Sequence, residues 1–128
     1  MTPDPEPSPA AGGTPPVDFE QLNAASGEDA DMLQELVNLY FGQARELMAG
    51  LETALQKGDA KQVDHFAHKL VGASLACGMT AMVVPLRALE VRGRAGDLTG
   101  GEGFLAQAAA QLEVVRGAVQ DYLRSQRG

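Results

Sequence analysis

His65 and His68 are the only two histidines in a chain of 128 residues, and they stand three residues apart in a segment with helical spacing of apolar residues. Near neutral pH an imidazole is substantially unprotonated, which makes each ring a candidate nucleophile or metal ligand. A metal site needs more ligands than these two, and no further His, Cys or paired carboxylate is placed to complete one. With roughly 100° per residue, Val63, Phe66, Ala67, Leu70, Ser74 and Cys77 form the inward stripe of this helix. His68 then points roughly 150° away from its centre. Lys61, Asp64, His65, Gly72 and Leu75 share the outer face, and Val71 lies at the stripe's edge. Alone, an exposed mid-helix imidazole reads as a solvated surface residue. Gly72 argues for more, since glycine costs about 1 kcal/mol in a helix interior. Its place one turn after His68 suggests that something approaches the helix closely there.

Four long apolar stripes and one short helix must position that face. Asp18 is a good N-cap with Gln21 at N3, and Val17 and Leu22 occupy the places of a hydrophobic staple, predicting a short helix to about Ala25. Asp29 caps the second helix, in which Leu33, Leu36, Val37, Tyr40, Ala44, Leu47, Met48, Leu51 and Leu55 recur every three or four residues. Gly58 ends it, and Asp59 caps the third helix, which Gly78 ends. A fourth helix is read from about Thr80 to Arg92, with Met82, Val83, Leu86 and Leu89 inward. Pro85 would cost a hydrogen bond there, so the helix either starts later or is bent. Gly93 to Gly103 is read as a loop. A last helix carries Phe104, Leu105, Ala108, Leu112, Val115, Val119 and Tyr122 inward. No segment alternates with period two. The expected fold is all-α: an antiparallel up-down four-helix bundle with a short N-terminal helix laid across one end.

Composition narrows the function. Six of the seven prolines fall in residues 1–16, which read as a disordered tail ahead of one helical domain over residues 17–128. The net charge is −7, a poor match to nucleic acid or to an anionic membrane surface. The single cysteine, Cys77, excludes an internal disulfide and reads as a small buried apolar residue. No apolar run approaches the roughly 20 residues of a membrane span, and the first residues have neither the basic start nor the apolar stretch expected of a signal peptide. A cytoplasmic monomer is expected.

The stretch Ala67-His68-Lys69-Leu70-Val71-Gly72-Ala73-Ser74, then Gly78, Leu86 and Leu89-Glu90, resembles the signature of histidine phosphotransfer (HPt) domains. The resemblance extends from Val17 to the last helix, through Leu39-Tyr40-Phe41-Gly42-Gln43-Ala44-Arg45 and the Lys57-Gly58-Asp59 turn. It implies a phosphorelay carrier, not an independent enzyme. His68 would accept a phosphoryl group from a receiver aspartate and pass it to another response regulator. The implied partners are receiver domains, including those of hybrid histidine kinases. No cofactor is implied, because Mg²⁺ would sit in the receiver. Gln43 matches the place of a glutamine that bonds the histidine in some members; Lys61, His65 and Lys69 are the other supporting candidates. Val71, Gly72 and Leu75 are candidates for receiver docking. One departure is Val71, where the family usually has a lysine that steadies the phosphoryl group. The departure implies slower transfer or a less stable phosphorylated form, and a lysine restored there is expected to help. The alternative function is an adaptor that binds receivers without relaying phosphate.

Overall fold

Short caps decide where each helix starts and stops. In the computed structural model, which describes residues 15–126, Asp18 accepts from the Gln21 amide and opens α1 (Phe19–Ala25). Asp29 accepts from the amides of Asp31 and Met32 to open α2 (Ala30–Lys57), and Asp59 accepts from Gln62 to open α3 (Ala60–Cys77). A carboxylate in each place satisfies amides that the first helical turn leaves unpaired. Gly58 and Gly78 close α2 and α3 in the left-handed conformation, at φ 67° and 75°. A 3-10 turn, Thr80–Met82, leads into α4 (Val83–Ala95), and α5 (Gly101–Gln126) completes the chain. All described elements are helical, and α2 to α5 form the bundle, with α5 packed against both α4 and α2.

Two boundaries differ from the sequence reading. The fourth α-helix starts later, at Val83, so Pro85 falls in its first turn, where a missing N–H is no loss. The loop is shorter than Gly93 to Gly103, because helix continues through Gly93 and resumes at Gly101. These two glycines serve close packing. A Cβ on Gly93 would lie 2.5 Å from the Asp64 amide nitrogen and 2.7 Å from the Ala60 carbonyl oxygen of α3. One on Gly101 would lie 2.7 Å from a Leu55 methyl of α2.

The core runs the length of the bundle through Leu33, Val37, Leu51, Leu70, Leu86, Leu89, Val115 and Val119, all buried. Phe66, Leu36, Met48 and Leu55 are half-buried at its margin. Tyr40 and Ser74 share a buried hydrogen bond of 2.7 Å that sets the register of α2 against α3. α1 lies across one end: the Asp18 amide donates to the Gly78 carbonyl, and Phe19 stacks on Tyr122 at 4.2 Å. Pro15 and Pro16 are tied to the 3-10 turn, their carbonyls accepting from the Thr80 hydroxyl and the Ala81 amide. The rest of the proline-rich tail, residues 1–14, lies outside the described residues. No helix among the described residues is long and apolar enough to cross a membrane.

Candidate functional site

The face predicted to carry chemistry is the outer side of α3 where it meets α4. Gly93 lets the two backbones touch at Asp64 and Ala60, and one turn earlier on α4 this contact sets Glu90 beside His68. The His68 side chain is 73% exposed, yet its Nδ1 lies 2.6 Å from Oε2 of Glu90, whose own side chain is only 6% exposed. The nitrogen donates and the carboxylate oxygen accepts. Arg94 donates to the same oxygen at 2.9 Å and approaches Asp64 at 3.5 Å. Arg87 approaches the other oxygen, Oε1, at 3.9 Å. A buried carboxylate thus holds one ring nitrogen of an exposed histidine and is itself held by arginine.

Burial alone pushes the Glu90 carboxyl upward and is the largest single influence on it. The hydrogen bond and charge of His68 and the charge of Arg94 together outweigh it, leaving Glu90 below the usual carboxylate range. Glu90 is therefore an anion at neutral pH, able to accept the hydrogen bond of Nδ1–H and with no proton to donate in return. With Nδ1 engaged, the free ring nitrogen is Nε2, which looks outward.

The other sequence candidates are spread along and around α3. Gly72 is exposed, and a Cβ there would meet nothing within 4 Å, so no contact within this chain explains the glycine. Leu75 is 46% exposed, three residues further along the same face. Lys61, His65 and Lys69 are exposed, with the His65 ring tilted 5.5 Å from Phe66. Gln43 is exposed on α2 but does not bond His68, whose partner comes from α4 instead. The Tyr40–Ser74 register brings Gln43 level with Val71, about 4.5 Å along the axis from His68.

Val71 corrects the sequence reading. It is 3% exposed and belongs to the core, so it offers no docking surface. α3 is flanked by both α2 and α4, and its buried arc widens to take in position 71 on the α4 side. Glu90, quoted in the sequence only as part of the motif, was given no role there. Its signal was present in the α4 stripe: Leu86, Leu89, Glu90 and Gly93 are spaced to face inward together, and a carboxylate in that series requires a partner.

Among the described residues, no group of three or more His, Cys, Asp or Glu side chains is placed to hold a metal.

Comparison with known proteins adds an independent line. A family model described as the Hpt domain matches residues 35–122, a span that contains α3, α4 and every residue of this site. The fold is similar to that of histidine-containing phosphotransfer protein B (HptB) from Pseudomonas aeruginosa PAO1. The TM-score is 0.80 and the identity 24%, covering 88% of this chain and 98% of that one. No match is found among curated proteins.

Proposed function

This chain belongs to the Hpt domain family, and from that premise we propose that His68 carries the phosphoryl group, on Nε2. As a family member the protein is a phosphorelay carrier that moves phosphoryl groups between the receiver domains of two-component proteins, and is not an enzyme. The observation that carries the residue assignment is the contact between exposed His68 and buried Glu90 at 2.6 Å. It leaves Nε2 with its lone pair directed at solvent.

In the uptake step that lone pair attacks the phosphorus of a receiver's aspartyl phosphate. The N–P bond forms as the acyl O–P bond breaks, and the aspartate carboxylate leaves with the electron pair. The ring retains its proton on Nδ1 and gains positive charge, which the Glu90 anion offsets across the hydrogen bond. Onward transfer reverses these events on a second receiver. Mg²⁺ in the receiver would shield the phosphoryl oxygens during both steps. The open space at Gly72 and the exposed side chain of Leu75 favour docking of the receiver over this end of α3.

The test is labelling from a phosphorylated receiver. The parent chain is expected to gain acid-labile, base-stable phosphate. His68→Gln should gain none, while His65→Gln should stay within a few-fold of the parent, because its ring has no buried carboxylate partner. Label persisting on His68→Gln, or lost only from His65→Gln, would overturn the assignment.

A further inference from the structure

We propose that Arg87 is the phosphoryl-binding residue of this carrier, closing on the phosphoryl oxygens once His68 is loaded; this deepens the assignment of His68 and rests on it. A phosphoryl group on Nε2 brings negative charge to a ring whose other nitrogen already touches the Glu90 carboxylate at 2.6 Å. The two negative groups stand on opposite sides of the ring and repel, a repulsion that water around the 73% exposed side chain weakens without removing. A cation is needed on the Nε2 side.

The arrangement of charges leaves one that fits. Arg94 is committed, bonding Glu90 at 2.9 Å and approaching Asp64 at 3.5 Å. Position 71 is an apolar residue in the core. Lys69 follows Phe66 by three residues, and the Phe66 ring lies against Gly50 of α2, so Lys69 leans toward α2 and away from α4. Lys61 is two helical turns back, roughly 10 Å along the axis. Arg87 remains. Its side chain is 56% exposed, and among the described residues its guanidinium approaches only Glu90 Oε1, the oxygen that His68 does not use, at 3.9 Å. α3 and α4 run antiparallel, and Arg94, four residues after Glu90, points back toward Asp64. Arg87, three residues before Glu90, therefore stands on the opposite side of His68, level with the open space at Gly72. A loosely held, planar donor fork suits phosphoryl oxygens well. In the unloaded protein it rests on Glu90, and on loading it exchanges that contact for the phosphoryl group.

The experiment loads the full chain with potassium phosphoramidate, so that no receiver is needed: Nε2 attacks phosphorus and ammonia leaves. A His65→Gln background leaves His68 as the one imidazole. Decay of the phosphohistidine and its ³¹P resonance are followed in the parent, Arg87→Gln, Arg87→Lys and Arg92→Gln. Arg92 loses the same charge from the side of α4 that faces Phe104. Arg87→Gln is expected to lose phosphate several-fold faster and to titrate its phosphoryl oxygens at higher pH, because a cation stabilises their dianion. Arg87→Lys should recover most of both effects, and Arg92→Gln should match the parent. Equal decay and titration in parent and Arg87→Gln would overturn the proposal while leaving His68 as the carrier, as would an equal effect from Arg92→Gln. Failure of the His65→Gln chain to take up phosphate at all would overturn both.

Discussion

At His68 the two ring nitrogens differ because they meet different neighbours: Nδ1 faces a buried anion and Nε2 faces water. The sequence placed the imidazole on the outer face, since helical periodicity alone decides that. It did not reveal Glu90, because the partner comes from another helix, 22 residues on. The same limit explains Val71. Its position at the edge of a stripe left exposure undecided until α4 was seen to cover it. Val71→Lys, which the family pattern suggests would restore a useful charge, is therefore expected to destabilise the fold. Burying an ammonium among apolar side chains is a severe penalty even when its stem can reach toward solvent, and a loss of about 2 kcal/mol or more is expected. Urea denaturation checks this, and a variant as stable as the parent would show that the ammonium reaches water from position 71.

Two glycines on adjacent helices have opposite reasons to be glycine. Gly93 is where α4 touches the α3 backbone, and any Cβ there collides with Asp64 and Ala60. Gly93→Ala should force the helices apart, cost about 1–3 kcal/mol, and slow phosphotransfer by moving Glu90 away from His68. Gly72 collides with nothing in this chain. Gly72→Gln should leave the helix intact or stabilise it by up to about 1 kcal/mol, since glutamine is the better helix former, while blocking transfer from a receiver. Circular dichroism melts paired with a transfer assay separate the two cases. Undiminished transfer by Gly72→Gln would mean that the receiver docks elsewhere.

For the molecule as a whole, the Glu90 cluster couples the site to folding stability. Its carboxyl titrates below its ordinary value of 4.5 in the folded chain, so the unfolded chain takes up that proton first as pH falls. The stabilisation is complete above the ordinary carboxyl value and is lost as pH drops through the folded one. The stability difference between the parent and Glu90→Gln should be largest near neutral pH and disappear in acid. A difference that stays constant across that range would show that Glu90 contributes through packing alone. At the other end of the scale, burial is the main cause that pushes the Tyr40 hydroxyl up to about 12, outweighing the bond to Ser74. Alkaline pH between the ordinary value of 10.0 and that value should therefore weaken the bundle.

The sequence by itself determined the all-helical class, the caps at Asp18, Asp29 and Asp59, the stops at Gly58 and Gly78, and the outward direction of His68. Each is a local property, written in apolar spacing or in a side chain bonding an amide two or three residues away. Only the tertiary structure decided the extent of the last loop, the burial of Val71, the distance from Gln43 to the site, and the partnership of His68 with a Glu90 that Arg94 and Arg87 approach in turn. Those depend on how closely two helices approach and in what register. That is a property of both surfaces at once, and here the missing side chain of Gly93, pressed against the backbone of α3, sets it.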